Sequence, residues 1–188
     1  MDFEKIEHSL NKIIDQKPDL HSGIELILSE LTKFELEKDE LTRIIAGSFS
    51  EFQSLLSSIF KKDPLPITII SLNLGIFESN EGISYYISGS SEWNKEGTDW
   101  ACNNDYFPEQ RYIDLLIHDK IDELTEENYD AYVFLALSIA ALYLIEFFKN
   151  NKDQFINFYR PKLFIATGFD DGDIYNIGRV ISEGVIAT

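Results

Sequence analysis

The sequence has a single cysteine, Cys102, and few basic residues, with 16 Lys plus Arg against 33 Asp plus Glu. A lone cysteine excludes an intramolecular disulfide framework and a Cys-rich zinc module. The formal net charge of -17 argues against general nucleic-acid binding, because phosphates attract a basic footprint. Hydrophobic residues make up 44% of the 188 residues and aromatic residues 13%, which is enough apolar material for a folded core.

The N-terminal residues lack the basic start and the uninterrupted apolar run of a secretory signal. Together with the unpaired thiol, this predicts a cytoplasmic protein. Residues 131–145, AYVFLALSIAALYLI, are the longest apolar run, broken only by Ser138. A membrane span needs about 20 predominantly apolar residues, so this run predicts a buried helix of a soluble domain and no membrane contact. A membrane helix and a helix at an oligomer interface are the alternatives.

Hydrophobic periodicity predicts one α+β domain over residues 1–188. Residues 1–63 carry apolar side chains at spacings of three and four, which indicates N-terminal helices, and Ser22 is a candidate N-cap. Residues 64–188 predict a mostly antiparallel sheet of about four strands packed around the buried apolar helix. The predicted elements are, in order, strands 67–77 and 83–89, the loop 90–108, helices 108–124 and 127–150, and strands 162–169 and 174–180.

Residues 90–108, here named the aromatic segment, show neither a helical nor a strand period. A loop this long in a compact domain is usually functional or disordered, and its aromatic content (Trp93, Trp100, Tyr106, Phe107) predicts order. Residues 64–130 hold 14 acids against 3 bases, whereas residues 1–63 hold 13 against 8 and residues 131–188 hold 6 against 5. This concentration of negative charge is typical either of a solvated surface or of a docking face for a basic protein.

Sequence motifs for catalysis or metal binding are weak. Cys102 would need a basic histidine to act as a nucleophile, only His118 is nearby in sequence, and no nucleophile motif is present, so a structural cysteine is favoured. Oxygen ligands for a cation occur at two places, Asp170, Asp171 and Asp173, and Asp99, Asn103, Asn104, Asp105 and Glu109. Neither set has the spacing of an EF-hand, and a tight turn explains the first, so we predict no metal and no other cofactor.

Three features of the sequence occur together. The chain is a small acidic domain, its predicted helices precede the sheet, and residues 84–108 read SYYISGSSEWNKEGTDWACNNDYFP. The pattern resembles small bacterial immunity proteins, which neutralise polymorphic or contact-dependent toxins. The resemblance covers 25 of 188 residues and carries over no functional residue by alignment. It implies a non-enzymatic binder that occludes a toxin made by the same or a neighbouring cell.

The working hypothesis is therefore a cytoplasmic interaction protein that presents carboxylates and rings to a basic toxin or effector domain. The candidate contacts are Glu92, Trp93, Asp99, Trp100, Asp105, Tyr106 and Glu109. For Trp100, a role as a core anchor of the segment is an equally good interpretation. Two alternatives remain, a small hydrolase or metal-dependent enzyme that uses the 90–110 loop with His118, and an adaptor that oligomerises through its apolar helix.

Overall fold

The computed structural model describes residues 2–34, 41–79, 82–95, 97–125 and 128–188. In this part of the chain, five α-helices cover one face of a six-stranded sheet. The helices are α1 Phe3–Gln16, α2 Leu20–Leu31, α3 Leu41–Lys62, α4 Leu116–Thr125 and α5 Tyr129–Phe155. The strands are β1 Ser71–Ser79, β2 Gly82–Ser90, β3 Tyr112–Ile113, β4 Leu163–Phe169, β5 Ile174–Ile181 and β6 Gly184–Ile186. Two short 3₁₀ helices, Thr32–Phe34 and Asp99–Cys102, complete the regular structure.

The sheet has the strand order β3-β2-β1-β4-β5-β6. Its two hairpins, β1–β2 and β4–β5, are antiparallel as predicted, and they join side by side through a parallel pairing of β1 with β4. A parallel pair requires a long crossover, which α4 and α5 provide here. The predicted α+β class is confirmed, while the expected sheet of about four mostly antiparallel strands is less exact than the six-stranded mixed sheet.

Helix α5 lies in the centre of the domain, between the inner face of the sheet and helices α1 to α4. Leu72, Leu74 and Ile76 of β1 form part of the buried inner face. The Tyr143 hydroxyl donates a hydrogen bond to the Ile45 carbonyl of α3 at 2.6 Å, and the Tyr85 hydroxyl of β2 donates to the Ala136 carbonyl at 3.2 Å. Of the described helices, α5 alone is long and apolar enough to cross a membrane, yet 89% of its most apolar window is buried. This burial fits the core of a soluble protein.

The predicted helix over residues 108–124 is wrong in its first half. Tyr112 and Ile113 pair with Tyr86 and Tyr85 as the edge strand β3, and α4 begins only at Leu116. Burial alternates from residue 112 to residue 116, with Ile113 and Leu115 inside. The spacing of Ile113 and Leu115 suits a strand, whereas Tyr112, Leu115 and Leu116 have helical spacing, so the sequence pattern is ambiguous here.

The N-cap of α2 is Asp19, not Ser22 as predicted. The Asp19 carboxylate accepts a hydrogen bond from the Ser22 backbone N–H at 2.9 Å, so Ser22 supplies an amide of the first turn. Asp and Ser are comparably good N-caps, and the sequence offers both within three residues.

Candidate binding surface

The aromatic segment covers the outer face of the sheet, opposite α5. The Trp93 ring stacks on Phe164 of β4, with ring centroids 3.8 Å apart and planes 5° apart. Trp100, in the 3₁₀ helix, is 4% exposed and packs against Ala166 of the same strand. The two tryptophans thus fix the segment to the sheet, which supports the predicted order of the described part of this segment.

Hydrogen bonds hold the ends of the aromatic segment. Tyr106 exchanges backbone hydrogen bonds with Gly89, and its hydroxyl donates to the Asp63 carbonyl at 2.7 Å. Burial raises the pKa of the Tyr106 hydroxyl. The Asp105 carboxylate accepts hydrogen bonds from the Ser91 backbone N–H at 2.8 Å and from its hydroxyl at 2.7 Å, and these bonds lower the pKa of Asp105. Asp105 therefore stabilises the loop as well as carrying surface charge.

The seven predicted contacts divide by exposure. The four carboxylates, Glu92, Asp99, Asp105 and Glu109, are exposed. Trp93 is half-buried, whereas Trp100 and Tyr106 are buried. In this structure the last two rings therefore act mainly as anchors of the aromatic segment.

Four of the predicted contacts surround one shallow depression of about 440 Å³. Its lining residues are Ile70, Glu92, Trp93, Asn94, Gly97, Asp99 and Trp100. Two carboxylates therefore flank indole surface, and none of these described lining residues is basic. Asp105 does not line it, and Glu109 lines a separate cavity of about 210 Å³ beside Lys62.

A second concavity, here named the strand pocket, lies between the aromatic segment and the outer faces of β1 and β2. It has a volume of about 330 Å³ and is lined by Asn73, Phe77, Tyr86, Ser88, Ala101, Cys102, Asn104, Phe107, Tyr112, Asp170 and Ile174. The 3₁₀ helix Asp99–Cys102 separates it from the depression, because Trp100 lines one and Cys102 the other. Sequence reasoning missed the strand residues of this pocket. Their signal was the alternation of small polar residues, at 71 and 73 and at 84, 88 and 90.

His118 lies on the opposite side of the sheet from the strand pocket. It is buried, and its ring centroid is 4.5 Å from that of Tyr85, an inner-face residue. Burial lowers the pKa of His118 to about 4, so the imidazole is neutral at pH 7. The structure does not bring His118 to Cys102. No group of three or more His, Cys, Asp or Glu side chains within the described ranges is placed to hold a metal ion, including the sets around Asp99 and Asp170.

A larger cavity of about 520 Å³ lies away from the aromatic segment, beside Lys61 and Arg160. Arg160 is buried, and its guanidinium donates hydrogen bonds to the carbonyls of Leu65 and Pro66 at 2.9 and 2.7 Å. These bonds tie the chain after α5 to the loop before β1, which gives Arg160 a structural role.

Comparison with known protein families, with curated proteins and with solved structures gives no match to this chain.

Proposed function

We propose that the chain is a cytoplasmic, non-enzymatic binding protein of the immunity type, which neutralises a basic toxin or effector domain. The observation that supports this function best is the depression in which Glu92 and Asp99 flank the ring of Trp93. Lys and Arg of the partner would pair with the carboxylates, and the indole would supply apolar contact area. Aromatic residues of this kind are enriched at the energetic centres of interfaces.

The anchoring of the aromatic segment supports the same proposal. Because Trp100 and Tyr106 are buried and Asp105 holds Ser91, the described backbone at the two ends of the aromatic segment is held in place before a partner arrives. Binding then loses little conformational freedom, and more of the contact energy contributes to affinity.

The hydrolase alternative receives less support from the described residues. The strand pocket contains one carboxylate, Asp170, and no histidine among its described lining residues. The adaptor alternative needs a free face on α5, but that helix is surrounded by its own chain. Both observations favour binding through the outer surface of the domain.

Neutralising three of the four predicted contact carboxylates, two at the depression and one at the cavity beside Lys62, should slow association with the basic partner. The variant is Glu92→Gln, Asp99→Asn and Glu109→Gln, with Asp105 kept because it stabilises the loop. We expect the association rate at low salt to fall about tenfold while dissociation changes little, since peripheral charges act mainly on encounter. Surface plasmon resonance at several salt concentrations measures both rates, with a partner captured from the host or encoded by the adjacent gene.

A matched control removes the same number of charges elsewhere, with Glu7→Gln, Asp15→Asn and Asp153→Asn, all exposed. Equal slowing in the control variant would assign the effect to net charge. An unchanged rate in the test variant would remove the depression as the binding site.

Truncating Trp93 should act on dissociation. Trp93→Ala removes the half-buried ring that stacks on Phe164. We expect the complex to dissociate faster, with a loss of about 2 kcal/mol of binding free energy, as for an energetic hot spot. Circular dichroism and thermal unfolding establish that the variant is folded, and Trp93→Phe, which keeps a ring on Phe164, is the intermediate control. An unaltered dissociation rate from a folded Trp93→Ala protein would contradict a contact between the Trp93 ring and the partner.

A further inference from the structure

We infer that the strand pocket receives an arginine side chain of the basic partner. The inference rests on the proposed function and gives it a second point of recognition, on the other side of the 3₁₀ helix Asp99–Cys102. It follows from the buried polar atoms, the ring faces and the charge of the residues that line the pocket.

Two buried polar atoms in the strand pocket have no hydrogen-bond partner within the described part of the chain. They are Asn73 Oδ1 and Ser88 Oγ, on residues that are each only 1% exposed. Asn73 and Ser88 are directly opposite one another in the β1–β2 ladder, so the two oxygens belong to neighbouring positions of one surface. Buried polar groups in native proteins are nearly always paired, and a ligand with hydrogen-bond donors would satisfy both.

Aromatic rings form much of the remaining wall. The Tyr86 ring lies over Gly75, its cross-strand partner, since a Cβ at position 75 would be 2.1 Å from Tyr86 Cζ. Phe107 and Tyr112 are 42% and 53% exposed, so part of each ring is open to a ligand. The guanidinium of Arg111 lies 4.0 Å from the Phe107 ring centroid and 4.9 Å from that of Tyr112. These two rings therefore already accept a guanidinium from their own chain.

The acceptor oxygens and ring faces of the pocket, more than its net charge, favour a donor-rich planar cation over an anion. Asp170 contributes a carboxylate, and the described lining residues include no lysine or arginine. Arg111 adds one positive charge beside the pocket, which Asp170 offsets. Arginine presents five N–H donors in a plane and stacks on aromatic faces, so it matches acceptor oxygens and rings together, whereas lysine presents a compact point charge.

The native thiol of Cys102 can report whether a ligand occupies the strand pocket, because a bound ligand would shield it from a thiol reagent. It is the single cysteine of the chain, it is exposed, and it lines the strand pocket. The experiment measures the rate at which a thiol reagent modifies Cys102 in the full-length protein, with increasing N-acetyl-arginine methylamide. We expect saturable protection, with at least tenfold weaker protection by the citrulline analogue, which keeps the shape without the charge, and by the lysine analogue.

Variants of the lining residues test whether protection of Cys102 depends on binding in the strand pocket. Asn73→Leu and Ser88→Ala replace unpaired buried polar groups by apolar ones of similar or smaller size, so we expect a melting temperature equal to or above that of the wild type. Both should weaken protection by arginine at least tenfold, a loss that a purely structural role of these residues would not produce. Asp170→Asn, at an exposed position, should weaken it less severely, and Asp171→Asn is its adjacent control.

The outcomes separate this inference from the proposed function. Equal protection by arginine and citrulline analogues, or undiminished protection in a folded Asn73→Leu variant, would overturn arginine recognition. If Asn73→Leu binds the protein partner as the wild type does while the depression variant associates slowly, the inference is overturned and the proposed function stands. If the arginine analogue protects Cys102 but no basic protein from the host or from the adjacent gene binds the chain, the proposed function is overturned, and so is the assignment of the arginine to a protein.

Discussion

Replacement of Leu137 by lysine is expected to unfold the protein. Leu137 lies in the middle of α5 and is 1% exposed, between the sheet and the other helices. Loss of a buried leucine side chain alone costs about 2–5 kcal/mol, and an ammonium group without a partner in the core adds a further penalty. Since the whole stability of a domain is about 5–15 kcal/mol, the sum is enough to abolish the native state. Circular dichroism and thermal unfolding of the purified variant measure the effect.

Two controls test whether burial causes this loss. Leu137→Met keeps the apolar character and roughly the volume, and should cost less than about 1.5 kcal/mol. Asn150→Lys places the same charge at an exposed position of the same helix and should leave the melting temperature almost unchanged. A native melting temperature for Leu137→Lys would contradict the core position of α5. Recovery of the wild-type chain only in a membrane fraction would restore the membrane alternative.

Strong periodicity made the main elements predictable from sequence. Both hairpins have long patterns bounded by turn residues, and their strands begin and end within four residues of the predicted positions. The short strands β3 and β6 have two and three residues, too few to show a period. They exist because neighbouring strands offer unpaired edges, which is a tertiary property. The parallel pairing of β1 with β4 depends in the same way on how α5 crosses the sheet.

The candidate site was predictable only where it depends on charge. Charge is readable from sequence, and the four predicted carboxylates are exposed. The two roles of tryptophan are not distinguishable from sequence, because a ring that anchors a loop and a ring that meets a partner have the same composition around them. The strand pocket was hidden because Asp170 joins Asn73 and Ser88 of the predicted hairpin only through the parallel pairing of β1 with β4.

Neutralising Glu30 is expected to cost about 3 kcal/mol of stability at pH 7. Glu30 of α2 is 4% exposed, and its carboxylate accepts hydrogen bonds from Ser9 at 2.6 Å, from Lys12 at 2.8 Å and from Lys33. Burial by itself opposes the charged form, but the three hydrogen bonds outweigh it and lower the pKa of Glu30 from 4.5 to about 2. A shift of this size corresponds to about 3 kcal/mol. Urea unfolding of Glu30→Gln against the wild type measures it.

The pH dependence distinguishes this ion-pair network from packing. Because the folded pKa lies below the unfolded one, the contribution of Glu30 is fully present above about pH 4.5 and is lost as the pH falls towards about 2. The stability difference between wild type and Glu30→Gln should therefore shrink over that interval. Glu25→Gln is the matched control on the same helix, since its side chain is 69% exposed and its contact with His21 should contribute under about 0.5 kcal/mol. A difference for Glu30→Gln that stays constant from pH 7 to pH 2.5 would show that shape, and not charge, makes Glu30 stabilising.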